Sequence, residues 1–324
     1  METRVLGGTQ LAVSIVGYGA APVGYVGATP STAAPLLNAV LDAGINVIDT
    51  AECYGNSEEL IGQTISHRRH EFYLFTKCGH AAGLDYRDWD EALIAPTLER
   101  SLKRLNTDHV DLLQLHSCSE RVLRTGGVVE ALKRVRGEGK TRFIGYSGDS
   151  QAALYAINSG VFDTLQTSVN IADQEAIELT IRAAQQRGMG VIAKRALANA
   201  AWTYRDRPDD VFLQTYWDRC RRLNYDFFQS DRHEALGTAL SYTLTVPGVH
   251  VALVGTAKPE HLSANVSRVG TLSPDQYQHI RDRWLAVAPP EWTAADETRP
   301  VSLRTQVKDA FSTVRRSLKR LVGG

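Results

Sequence analysis

The chain is short of the features that mark a specialised environment. Only four of its 324 residues are cysteine (Cys53, Cys78, Cys118 and Cys220), and no two of them form a CxxC pair. That excludes a disulfide-built scaffold and makes the reducing cytoplasm the expected location. No apolar run approaches the ~20 residues of a membrane-spanning helix. The opening METRVLGGTQ likewise has no signal-peptide core. Charge of one sign is not in excess, since Lys plus Arg and Asp plus Glu each number 36. Nothing global therefore attracts a nucleic acid or an anionic surface. Also missing is a GxGxxG after the first strand-like segment, which argues against a doubly wound dinucleotide fold.

What remains is an ordinary globular mixture, 43% hydrophobic and 22% charged, with ample material for a core. Short β-branched segments at 13–19, 46–50, 72–77, 109–116, 142–147, 164–168, 190–194 and 251–255 alternate with stretches of helical period. One such helix opens at Ser31 and stops at Gly44, and another starts at Ser57. Pro96 marks either a helix start or a kink. Eight such units predict a (β/α)8 TIM barrel over residues 1–288. It carries a long aromatic loop, 198–231, after its seventh strand. Residues 289–300 read as a linker and 301–324 as an amphipathic basic helix. That helix sets Leu303, Val307, Phe311, Val314, Leu318 and Leu321 against Arg304, Lys308, Arg315, Arg316, Lys319 and Arg320. Its apolar face is expected to pack on the barrel or on a second subunit, with a membrane surface as the other option.

In such a barrel the reactive groups sit at the C-terminal ends of the strands. Those ends place Asp49, Lys77 and His116 at one mouth, with Tyr54 in the loop that follows Asp49. A phenol donates poorly to a carbonyl at neutral pH, and a neighbouring ammonium, by stabilising the phenolate, is expected to lower its pKa and make donation easier. A carboxylate compensates the buried lysine, and a histidine orients the carbonyl oxygen. The set suits protonation of an aldehyde or ketone while a nicotinamide delivers hydride to its carbon.

These residues also carry a family resemblance. INVIDTAECYGNSEELIG resembles the signature of the aldo-keto reductases, in which an Asp and a Tyr five residues apart precede a GNSEE-type helix start. LFTKCG and SLKRLNTDHVDLLQLHS resemble the lysine and histidine motifs of that family. GKTRFIGYSGDS and VALVGTAKPEHLSANV resemble its two cofactor segments, and the match runs from about residue 4 to 270. The resemblance implies NADP(H)-dependent carbonyl reduction of a small molecule, with NAD(H) also possible, by Asp49, Tyr54, Lys77 and His116. It further implies cofactor contacts from Gly19, Ala20, Ser147, Gln166, Gly255, Thr256, Lys258, His261 and Asn265.

Two positions depart from the pattern. Gly148 stands where the family usually has Asn, and Lys194 followed by Arg195 stands where many members have an aromatic residue. Lys194 and Arg195 are expected to reach the pyrophosphate or an acidic substrate, or else to pair with a nearby acid. Trp202, in the aromatic loop, is expected to face substrate. Cys53, Cys78 and Cys118 lack the paired spacing of a metal centre and read as apolar fillers. Cys78, beside Lys77, is also a candidate for an oxidation-sensitive thiol. Two other functions remain open: a nucleotide-binding regulatory subunit with little turnover, and a Schiff-base lyase using Lys77 or Lys194.

Overall fold

The computed structural model describes residues 1–259, 262 and 269–292. Strands β1 (Thr3–Val5) and β2 (Ala12–Ser14) form an antiparallel ribbon. The barrel strands are β3 (Val16–Gly19), β4 (Val47–Asp49), β5 (Tyr73–Cys78), β6 (Val110–His116) and β7 (Thr141–Ser147), followed by β8 (Thr164–Ser168), β9 (Gly190–Lys194) and β10 (Val251–Val254). They close in the order β10-β3-β4-β5-β6-β7-β8-β9, every pair parallel. This is the expected (β/α)8 barrel.

The first strand differs from its expected span of 13–19. The chain breaks at Ile15 because Ser14 and Asn46 hydrogen-bond each other's backbone there: Ser14 N–H donates to Asn46 Oδ1 at 2.7 Å and Asn46 N–H to Ser14 Oγ at 3.0 Å. The residues before the break form β2, which carries Val13 with Leu6 and Leu11 onto the inner barrel cluster of Val47, Phe75, Leu112, Ile192 and Val251. The ribbon therefore covers the barrel floor. A second, larger apolar layer lies between the sheet and the surrounding helices.

Local chemistry sets the helix boundaries. Helix α1 is Ala21–Tyr25 and α2 is Pro30–Asp42. Thr29, not Ser31, caps α2: its side chain accepts the Thr32 N–H while Thr32 reaches back to the Thr29 N–H, and Pro30 occupies the first turn, where no N–H is needed. Helix α3 is Ser57–Thr64, as expected from Ser57. Pro96 is the third residue of α4, Ile94–Leu105, so it lies within the first turn and no kink is required. The aromatic insertion folds into a 3-10 turn, Ala198–Thr203, a helix, Val211–Leu223, and a second 3-10 turn, Asp226–Gln229. No helix among the described residues is long and apolar enough to cross a membrane. The expected linker beyond residue 292 and the expected helix 301–324 lie outside the described residues.

Parallel register brings Gly19 level with Asp49, Lys77 with Gln114, His116 with Ser147, Ser147 with Gln166, and Ser168 with Lys194. One rim thus collects the C-terminal ends. The Tyr54 turn is held to that rim by a backbone contact. A Cβ added at Gly24 of α1 would overlap the Tyr54 carbonyl oxygen, and one at Gly55 would overlap the Gly24 carbonyl. Gly55 also lies at φ +54, in the left-handed region. Glu52, 2% exposed, ties the same turn to the next loop by accepting the His80 N–H at 3.0 Å. Burial pushes its carboxyl up to about 7, against the pull of the His80 ring and backbone N–H.

Three outcomes are expected. Gly24→Ala should cost about 1–3 kcal/mol in urea unfolding, because backbone must shift to admit the methyl. Gly137→Ala, where a Cβ meets nothing within 4 Å, should be neutral or slightly stabilising. The raised Glu52 carboxyl makes the folded chain hold a proton that the unfolded chain has released. Its contribution is complete below the unfolded value of 4.5 and is lost as pH rises through about 7. Over that window the loss is on the order of 3 kcal/mol. Glu52→Gln keeps an acceptor for His80, so its stability relative to wild type should rise between pH 5 and pH 8 in paired unfolding curves.

Candidate active site

The centre of the rim is an ion pair removed from water. Asp49 ends β4 at 3% exposure and Lys77 lies in β5 at 1%. Lys77 Nζ donates to Asp49 Oδ1 at 2.6 Å and to the Thr50 carbonyl at 2.8 Å. Asp49 Oδ2 accepts from Gln166 Nε2 at 2.8 Å and from Gln114 Nε2 at 3.3 Å. Each carboxylate oxygen is therefore engaged, which a buried pair requires if attraction is to offset desolvation. Gln114 was not singled out from the sequence. Strand alternation contained the signal, since it lies two residues before His116 on the same face of β6.

Tyr54 stands over this pair. Lys77 Nζ is 5.0 Å from the centroid of its ring, and the His116 ring meets it edge-on at 5.7 Å. The structure thus brings Asp49, Tyr54, Lys77 and His116 together. The direction of the Tyr54 shift differs from the sequence expectation. Burial, reinforced by the negative charge of Asp49, pushes the phenol well above its ordinary value, and the lysine, already compensated by Asp49, does not reverse this. Burial also drives His116 well below the usual histidine range, helped by His80, Lys77, Lys194 and Arg195. At neutral pH the phenol keeps its proton and the imidazole is uncharged.

These groups open on a cavity of about 530 Å³. Gly19, Asp49, Tyr54, His116, Ser147, Gln166, Lys194, Arg195 and Gly255 all line it. Ser147 Oγ donates to Gln166 Oε1 at 2.9 Å, so the two form one polar wall. A Cβ at Gly255 would meet the Gly19 carbonyl at 2.9 Å, so this edge admits bare backbone only. Ala20 lies behind the wall, fully buried, with its N–H on the Asp49 carbonyl at 2.8 Å. Thr256 and Lys258 are off the cavity, in a turn where the Lys258 N–H donates to Thr256 Oγ1 at 3.0 Å. His261 and Asn265 lie outside the described residues.

The two departures from the family pattern have physical reasons. A Cβ at Gly148 would collide with the ring of Tyr146, whose hydroxyl donates to the Cys118 carbonyl at 2.7 Å. The next residue, Asp149, takes Lys194 Nζ at 3.0 Å, the acid pairing that was one of the options for that lysine. Asp149 also accepts from Ser168 N–H at 2.7 Å and Thr167 Oγ1 at 3.0 Å. Burial alone would raise this carboxyl, but Lys194, Arg195 and the Ser168 N–H more than reverse it, holding it well below the carboxylate range. Arg195 remains on the cavity wall with its guanidinium 3.4 Å from Ser168 Oγ.

Trp202 does not line the cavity. Its ring stacks on Phe228 at 5.3 Å, inside the aromatic cluster that anchors the insertion. The insertion side of the cavity is instead formed by Leu197, Asn199, Ala200, Tyr204, Asp210 and Leu213. Among these six, Tyr204 belongs to the aromatic signal of the insertion, and the other five carry no such signal. Cys78 is fully buried with its thiol against the Gln114 carbonyl at 3.7 Å, and burial pushes the thiol well up. Burial, with Glu52 and Cys118 close by, keeps it in the unreactive thiol form.

Known proteins of the same architecture carry matching sequence. The Aldo/keto reductase family profile matches residues 15–284. L-Galactose dehydrogenase of Arabidopsis thaliana is 28% identical over 84% of this chain and 89% of its own length. D-threo-Aldose 1-dehydrogenase of a Pseudomonas species is 27% identical over 79% of this chain and 89% of its own. The holo form of an aldo-keto reductase from Bacillus halodurans superimposes with a TM-score of 0.76 at 26% identity, covering 91% of this chain and 100% of that one. A profile matched across all eight barrel strands, on a closed parallel barrel, leaves one conclusion: this chain belongs to the aldo/keto reductase family of oxidoreductases.

Proposed function

We propose that this chain is an NADP(H)-dependent reductase that converts an aldehyde or ketone to an alcohol, with NAD(H) as a possible second donor. One observation carries the reading: Tyr54 and His116 face a single cavity with the Lys77–Asp49 pair directly behind them. The chain's cofactor residues suit a nicotinamide, because Gly19, Ser147, Gln166 and Gly255 line the same cavity as Tyr54 and His116. Ser147 and Gln166 would hold its carboxamide. Thr256 and Lys258, with His261 and Asn265, would hold the adenosine phosphates. When bound, the nicotinamide supplies hydride to the carbonyl carbon.

The protein's own groups handle the oxygen. His116, uncharged, directs an N–H at the carbonyl oxygen and fixes its orientation. Tyr54 keeps its proton in the resting site and gives it up as negative charge develops on that oxygen. The Lys77 ammonium, 5.0 Å from the ring, then stabilises the forming phenolate, and Asp49 holds the lysine in place. Lys194 is engaged by Asp149, and Arg195, which lines the cavity beside Ser168 and Tyr216, is the cation placed to meet a phosphate or an anionic substrate group.

Purified protein should bind NADPH, read by tryptophan quenching, and reduce aldehydes or ketones. Tyr54→Phe should lower kcat by about 10²–10⁴-fold while leaving nucleotide affinity nearly unchanged. Binding without turnover in wild type would favour the regulatory-subunit reading instead. Arg195→Gln should raise KM for carboxylate-bearing carbonyl compounds about tenfold more than for neutral ones, a differential of about 1.4 kcal/mol.

A further inference from the structure

A second cluster of donor side chains meets the active site at His116. Cys53 precedes Tyr54, His80 follows β5, and His116 ends β6, so three separate strand ends contribute one side chain each. One potential ligand atom from each lies within 4.8 Å of the other two. Cys53 Sγ is 3.6 Å from His116 Nδ1, and the His80 and His116 rings meet edge-to-face at 5.0 Å. A tetrahedral zinc ion holds its sulfur and nitrogen ligands about 3.3–3.6 Å apart. The Cys53–His116 edge already has that span, and a swing of the His80 ring would close the set.

The surroundings suit a cation. Asp88 Oδ2 is 3.3 Å from His80 Nδ1, which orients that ring and leaves Nε2 to coordinate. A carboxylate behind a ligating imidazole is the usual supporting contact at a metal centre. Glu52, 2% exposed, uses one oxygen on the His80 N–H, while its Oε2 is buried and has no hydrogen-bond partner among the described residues. That buried carboxyl oxygen is a polar group left without a partner, and a cation held next to it would supply one. Trp89 packs edge-on against His80 at 5.1 Å and shields this side from water. Access comes from the cavity, which His116 lines.

We propose that Cys53, His80 and His116 form a binding site for one thiophilic divalent cation of the zinc type, supported by Glu52 and Asp88. One thiolate and two imidazoles are the donors such an ion prefers, and three protein ligands leave a fourth position open towards the cavity. On binding, Cys53 forms a metal–sulfur bond and its thiol proton passes to solvent, so charge balances with no oxidation or reduction. The claim concerns metal binding and stands independently of the reductase reading. It does link the two sites, since His116 belongs to both.

The test uses full-length protein without a polyhistidine tag, stripped with a chelator and titrated with Co²⁺ as a spectroscopic probe. One equivalent should bind with tetrahedral ligand-field bands and a thiolate-to-metal charge-transfer band, and Zn²⁺ should displace it. Cys53→Ser should abolish the charge-transfer band, and His80→Gln should weaken Zn²⁺ binding at least about 100-fold. Asp88→Asn, which removes the supporting carboxylate, should weaken it by about 10–100-fold. Cys220→Ser, remote from the cluster, should change nothing. Binding without a charge-transfer band, or with unchanged affinity in His80→Gln, would overturn the site. The His80 variant decides the matter alone if Cys53→Ser does not fold.

Discussion

Sealing an ammonium and a carboxylate at the centre of a barrel is the constraint to which the rest of this rim answers. The Lys77–Asp49 pair is almost wholly removed from water, so each lone pair and each N–H must be met by protein. Gln114 and Gln166 supply donors to the carboxylate, and the Thr50 carbonyl takes the ammonium. Gln166 in turn is held by Ser147, which brings the polar wall of the cavity into the same network. A chain of hydrogen bonds therefore runs from β4 to β8 across the barrel mouth. Tyr54 and His116 stand beside it and face the cavity.

Much of this was legible in the sequence, and the reasons are local. Each barrel strand is a β-branched run with its chemistry at the C-terminal end, so alternation and length placed Asp49, Lys77 and His116 on one rim. The break at Ile15 was not legible, because it depends on Ser14 meeting Asn46, thirty-two residues away. Trp202 was misplaced for a similar reason. An aromatic residue in a mouth loop reads as a substrate contact, yet Phe228 offers it a stacking partner within the loop itself. The upward shift of Tyr54 was also beyond the sequence. Adjacency to a lysine is visible in the motif, but depth of burial is a property of the fold.

The two unusual positions on the cofactor side form one local rearrangement. Gly148 makes room for the Tyr146 ring, and Asp149 turns back to take Lys194 and the Ser168 N–H. Lys194 thereby spends its charge within the wall, and Arg195, the next residue, stays on the cavity. The wall gains cationic character from Arg195 without an uncompensated charge beneath it.

That exchange restricts how the wall can change over evolutionary time. Replacing Lys194 alone takes from Asp149 the nearer of its two cations, and replacing Asp149 alone leaves Lys194 beside Arg195 without its acid. Either single step unbalances the charges of the wall, at a cost that the partial exposure of Asp149 keeps below that of a fully buried pair. Descendants should therefore keep or lose both together, and a family tree should show the two positions switching on the same branch.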